Sequence, residues 1–209
     1  MTRIRPSTFA AVFATICAAT LLTARPALAG PPLLCFPFDI GAARTLPMAP
    51  TGWHDTDPKY DVSRLVQDTV GLLGADTPII VRMETLRRAT MYAGANPAIA
   101  AALLAKLEER ARAAQPDAAL AVFDFGYLAE TYRQAALMFK NALPSVDAID
   151  GYSLVRKAYA FRHDPEIEFA SAIMAAWPKR AEFETHRRNA ESGAKADSLL
   201  AANLSTHLQ

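Results

Sequence analysis

Cysteine is almost absent from this chain: it has two, Cys17 and Cys35. That number excludes a disulfide-stapled scaffold, so stability has to come from an apolar core. The four histidines (54, 163, 186 and 207) form no His-x-x-x-His pair, and no Cys-x-x-Cys exists. His54 with Asp55 and Asp57, and His163 with Asp164 and Glu166, are each half a metal site at most. A catalytic zinc needs about three convergent ligands, so they are read as a polar loop and a helix cap, and no metal or cofactor is expected. Also lacking are a Gly-rich phosphate loop, a dinucleotide fingerprint, a Gly-x-Ser-x-Gly elbow and a CxxCH haem attachment. No segment alternates apolar and polar residues, and no hairpin dipeptide separates β-branched runs, which excludes a sheet.

Net charge is small as well, at +1. Three arginines (3, 5 and 25) fall in the first 29 residues, which read as an export signal. Arg3 and Arg5 make a basic start, Phe9–Leu22 is an apolar run, and Ala27-Leu28-Ala29 is a small-x-small cleavage site. Cleavage after Ala29 leaves 19 Lys and Arg against 21 Asp and Glu, or −2. Without clustered cations there is no electrostatic case for nucleic acid. The run is shorter than the roughly 18 residues of a spanning helix, and no second one follows. A periplasmic or secreted protein with no membrane span is therefore expected. Cys17 leaves with the signal. Cys35 is then alone, and reads as a small buried hydrophobe, with an intermolecular disulfide dimer or a reactive thiol as alternatives.

What is present is helical punctuation. Residues 30–60 hold Pro31, Pro32, Pro37, Pro47, Pro50 and Pro58, which forbid long helices, together with Leu33, Leu34, Phe36, Phe38 and Ile40, which are too apolar for a free linker. An extended arm packed on the domain is expected, with one helical turn near Gly41–Leu46 and a polar loop at Trp53–Asp57. From Asp61, residues 61–209 read as one all-α domain. Asp61 caps a helix with face Leu65, Val66, Thr69, Val70 and Leu73, and Gly74 stops it. Thr77-Pro78 starts a second helix, with Ile79, Ile80, Met83, Leu86 and Thr90 inward and Arg82, Glu84, Arg87 and Arg88 on its polar side. Asn96-Pro97 starts a third, with face Ile99, Leu103, Leu104 and Leu107, and the pair folds back as an αα-hairpin. Asp117–Asn141 is apolar almost all round and is placed at the centre, with Gly126 marking a close helix crossing. Helices near Gly151–Arg162, from Asp164-Pro165, from Pro178 to Ser192, and over Asp197–Leu204 complete the chain.

One arrangement recurs. Leu86-Arg87-Arg88-Ala89, Tyr92 and Asn96-Pro97-Ala98-Ile99 are echoed by Val155-Arg156-Lys157-Ala158, Phe161 and Asp164-Pro165-Glu166-Ile167. The two prolines stand 68 residues apart, about twice the 34-residue tetratricopeptide period. Ala102 and Ala170 each follow their proline by five residues. The pattern resembles tetratricopeptide-type repeats over roughly 76–174, though the usual Trp and Leu-Gly positions are unmatched. The resemblance implies an irregular stack of antiparallel helical hairpins, and carries no ligand residues with it. Separately, Cys35-Phe36-Pro37-Phe38-Asp39-Ile40-Gly41 and Glu84-Thr85-Leu86-Arg87-Arg88-Ala89 resemble a family of exported bacterial α-helical proteins with no assigned activity.

Function is then sought in what is not repeated. Candidates are the Cys35 arm, the loop Trp53, His54 and Asp55, and the central-helix residues Asp124, Tyr127, Glu130 and Tyr132. A lone buried carboxylate is costly, so Arg87, Arg88 and Arg156 are the expected partners of Asp124 and Glu130. A non-enzymatic binding or scaffold protein taking a protein or peptide partner is the expectation. The alternative is a periplasmic hydrolase cleaving cell-wall glycan through two carboxyls set about 5–10 Å apart.

Overall fold

Asp61 Oδ1 accepts from the Ser63 amide at 3.1 Å and opens a 3₁₀ turn, Val62–Arg64, that runs into helix α1, Leu65–Leu72. The computed structural model describes residues 32–113, 118–139, 142–176 and 181–208. The export signal, the helix start at Asp117 and the break at Pro178 lie outside them. Seven further helices follow: α2 Ile79–Ala93, α3 Pro97–Arg112, α4 Ala118–Ala135, α5 Gly151–Arg162, α6 Pro165–Ala176, α7 Phe183–Gly193 and α8 Leu199–His207. No strand occurs among the described residues, and no helix there is long and apolar enough to cross a membrane. The all-α class and the packed helical hairpins are as the sequence implies.

The core is broader than expected. One central helix was anticipated, and α4 is indeed buried on every side from Leu120 to Ala129. Helix α6 is buried from Ile167 to Ala175, and α2 at every position except Arg88. Arg82, Glu84 and Arg87 therefore do not face water, which corrects the polar side assigned to α2. Their charges are answered internally, and charge patterning alone cannot separate a solvated face from a self-paired one. Helices α1, α3, α5, α7 and α8 wrap the buried three. α2 and α3 touch each other little, and both pack more extensively on α4.

Close approach is set by two glycines. A Cβ on Gly126 would lie 2.7 Å from the Gly151 carbonyl oxygen, and one on Gly151 would lie 2.4 Å from that of Gly126. α4 and α5 thus cross backbone to backbone, as Gly126 implied.

Helix starts follow local capping, with one exception. Asn96 Oδ1 accepts from the Ile99 amide at 3.2 Å, and Asp164 Oδ1 from the Glu166 amide at 3.0 Å. Thr77 does not cap α2: its hydroxyl donates backwards to the Leu72 carbonyl at 2.9 Å. The cap comes from Glu166 at the start of α6, whose Oε2 accepts from the Ile80 amide at 3.0 Å. Burial raises the Glu166 carboxyl above its ordinary range, against the pull of that amide.

The echoed motif survives in its caps and fails in its burial. Tyr92 is buried while Phe161 is 70% exposed. Ala170 is buried while Ala102 is exposed.

The arm is extended and fastened at both flanks. Leu33 N–H donates to Gln134 Oε1 of α4 at 3.0 Å. Asp39 N–H donates to Asn203 Oδ1 of α8 at 2.9 Å, and Asn203 Nδ2 donates back to the Asp39 carbonyl at 2.7 Å. Between them Phe38 stacks on His207 at 4.6 Å and meets Phe169 edge-on at 6.1 Å. The expected helical turn at Gly41–Leu46 is instead one tight turn, closed by Ala43 N–H to the Ile40 carbonyl at 3.1 Å. Gly41 sits at φ +55°, outside the right-handed helical region, and the carbonyl of Leu46 is claimed by Arg88.

Candidate functional site

Two stretches far apart in sequence, Cys35–Gly41 and Glu84–Ala89, meet in one buried junction. Glu84 is fully buried and accepts from the Phe38 amide (3.1 Å), from Arg87 Nε (2.7 Å) and Nη2 (2.8 Å), and from Arg88 Nε (2.6 Å). Arg87 Nη1 then reaches two arm carbonyls, Leu34 at 3.1 Å and Trp53 at 2.8 Å. Arg88 Nη1 takes the Leu46 carbonyl at 2.7 Å. A buried charge is tolerable only when paired and fully hydrogen-bonded. Here the arm's backbone completes the shell of the helix's arginines.

This places the sequence-selected residues. Cys35, Trp53, Arg87 and Arg88 gather at the junction. Tyr127 lies within electrostatic reach of Glu84 and Arg87, and burial raises its phenol well above the usual range. Its hydroxyl is buried with no hydrogen-bond partner among the described residues. Cys35 is a half-buried free thiol, and burial raises it above its ordinary value against the pull of Arg87, which disfavours the reactive thiolate. The His54 ring is tilted 42° to that of Trp53 with centroids 4.8 Å apart, and His54 lies 3.4 Å from Asp55. No cluster of metal-ligating side chains exists among the described residues.

The remaining candidates lie elsewhere, and their expected pairings are corrected. Asp124 is not paired with Arg87, Arg88 or Arg156. It is wholly buried and accepts from Arg82 Nη1 at 2.7 Å, with Arg110 at 3.9 Å. Burial lifts its carboxyl to about 6, while Arg82 resists that rise. Arg82 also donates to the carbonyls of Gly74 and Thr77. Glu130 pairs with Arg133 at 3.3 Å, one turn away on its own helix. Tyr132 donates to the Ala100 carbonyl at 3.2 Å. Arg156 pairs with Glu168 of α6 at 3.1 Å. The two carboxyls proposed for hydrolysis thus each end in an arginine, and Asp124 is sealed from solvent.

Beside the junction opens a groove of about 890 Å³. One wall is the arm from Ala43 to Pro47, the other is Tyr60 with the outer face of α1, and Gly74–Pro78 and Val81 close it. Its arm wall is held from behind, because Arg88 binds the Leu46 carbonyl and the Tyr92 hydroxyl donates to that of Pro47 at 2.7 Å. On the α1 wall Asp68 accepts from the Tyr60 hydroxyl at 2.9 Å and from Arg64 at 3.2 Å. Burial, then the bond to Asp68, raises the Tyr60 phenol. Arg44 and Asp76 also line the groove and make no ion pair among the described residues. The groove thus offers apolar surface from Pro47, Leu72 and Pro78 beside the charges of Arg44 and Asp76. Sequence reasoning missed it. The only local signal was Arg64 and Asp68 at i,i+4, which by itself reads as an ordinary helix-surface pair.

No family model, curated protein or solved structure matches the chain.

Proposed function

We propose that this chain is an exported, helical-repeat-like binding protein that holds an extended peptide segment in the groove between its arm and α1. The groove carries this reading. Its volume, about 890 Å³, falls among ligand sites of roughly 300–1,000 Å³, and its walls mix apolar surface with Arg44 and Asp76. A peptide supplies both apolar side chains and charges of either sign, and the pinned arm keeps the groove open without an ordering cost on binding. Export is supported by the basic start, the apolar run and the Ala27-Leu28-Ala29 site. A dimer through Cys35 is compatible with its partial exposure. Glycan hydrolysis has less support, because Asp124 and Glu130 are each bonded to an arginine.

The test is to pan a random peptide display library over the immobilised protein and measure the enriched peptides by fluorescence anisotropy. Binding that weakens about tenfold or more on Arg44→Glu or Asp76→Lys is expected. Absence of enrichment, or peptides that bind both variants as well as the parent, overturns the proposal.

A further inference from the structure

Away from the groove, helices α5, α6 and α7 converge on a chain of hydrogen bonds. Glu168 Oε2 lies 2.5 Å from His186 Nδ1, and His186 Nε2 lies 2.6 Å from the Tyr152 hydroxyl. Arg156, one turn along α5 from Tyr152, holds the carboxylate from its other side, with Nη2 to Oε1 at 3.2 Å and Nη1 to Oε2 at 3.1 Å. Arg156 also donates to the Ser171 hydroxyl at 3.1 Å and lies over the Tyr159 ring at 4.4 Å. Glu168 and His186 are buried, with 2% and 7% of their side chains exposed, whereas Tyr152 is half-buried.

The chemistry of this chain is directional. An ionised carboxylate only accepts, so the neutral imidazole carries its hydrogen on Nδ1 and offers Nε2 as acceptor. The Tyr152 hydroxyl is then the donor. This is the order of nucleophile, base and orienting acid used in hydroxyl-nucleophile catalysis, with a phenol in the first place. Each member sits on a helix, and the carboxylate is fixed from two sides. Such rigidity favours a set geometry over a mobile surface contact.

We propose that Tyr152 is a nucleophilic phenol, that His186 is its proton acceptor with Glu168 and Arg156 as positioning residues, and that the site takes an acyl group from a carboxylic ester. In the step, Tyr152 Oη forms a bond to the ester carbonyl carbon while its proton passes to His186 Nε2. The ester C–O bond breaks, and the leaving oxygen takes that proton from the imidazolium. The products are an acylated Tyr152, an alcohol and neutral His186. The charge balance favours an uncharged electrophile. Arg156 is already neutralised by Glu168, so no cation within the cluster is left over to hold a phosphoryl group.

The experiment is incubation of the protein with p-nitrophenyl acetate, following nitrophenolate release and mapping acetyl groups by mass spectrometry. N-acetyltyrosinamide in the same mixture is the reference phenol, because Tyr159 itself touches Glu168 and Arg156. Acetylation of Tyr152 about tenfold or more faster than that of the reference is expected. The His186→Gln variant, with its fold checked by circular dichroism, should bring Tyr152 down to the reference rate. Acetylation of Tyr152 in the unsubstituted protein no faster than that of the reference phenol overturns the proposal, whether or not the variant folds. So does a Tyr152 rate that His186→Gln leaves unchanged, which would make the cluster a helix clamp only.

Discussion

The Phe38 amide donates to Glu84 Oε2 across 3.1 Å, joining residues 46 positions apart. That bond ties the arm to the one carboxylate that also neutralises Arg87 and Arg88. The segments Cys35–Gly41 and Glu84–Ala89 are thus the two sides of a single contact, and packing is enough to explain their residues.

Substituting Glu84→Gln leaves two arginines without their counter-charge, one of them buried. Breaking a buried pair from one side costs about 3–5 kcal/mol. Urea denaturation should show that loss. Hydrogen exchange should show faster opening at residues 33–48 than at α3, because the arm loses its anchor before the stack does.

Asp124 and Arg82 form the second buried pair. Asp124→Leu alone should cost about 3–5 kcal/mol, since it strands the Arg82 guanidinium. Combining it with Arg82→Met should recover most of that, because replacing both partners with apolar groups is often close to neutral. A double-mutant cycle by chemical denaturation measures the difference. If the double variant is less stable than the sum of the singles, the pair is not the unit described.

Glycine substitutions should diverge in sign. Gly126→Ala puts a methyl 2.7 Å from both the Gly151 carbonyl oxygen and the Leu154 Cβ, so it should lower stability by about 1–3 kcal/mol. Gly71→Ala meets nothing within 4 Å on the outer face of α1 and should raise stability by about 0.5–1 kcal/mol. Thermal melts of the two variants test this directly.

His207 predicts a pH dependence. Burial lowers its pKa to about 4, against a hydrogen bond to Pro37 that acts the other way. The unfolded chain takes up a proton near 6.5 and the folded one only near 4. Stability from this residue is therefore fully present above about 6.5 and is lost as pH falls toward 4. The ceiling is about 3 kcal/mol. Asp124, whose folded pKa is raised to about 6, acts in the opposite direction between its ordinary value and 6. The measurable quantity is thus the difference from His207→Phe, which keeps the stack on Phe38. The variant should lose less stability than the parent between pH 6.5 and pH 4.

How much of this was readable beforehand depended on whether the cause was local. Asp61, Asn96 and Asp164 reach backbone amides within three residues, and Gly126 marks a crossing because nothing but glycine fits one. The cap of α2 was unreadable, because Glu166 stands 86 residues from Ile80. The partners of Asp124 and Arg156 were misjudged for the same reason. Any arginine satisfies a carboxylate in composition, and only the packing of α2 on α4 decides that Arg82 is the one. Neither the groove nor the Tyr152–His186–Glu168 chain has a sequence signature. Each is assembled from residues that look ordinary within their own helices.

The strap from Asp39 to Asn203 spans 164 residues, nearly the whole described chain. A contact of that separation forms late, since most of the intervening chain must be ordered before it can close. The arm is synthesised first, yet it has no completed seat until α8 arrives. The last nine-residue helix is therefore a latch on the arm, and a chain cut before Leu199 should stay soft at its opposite end.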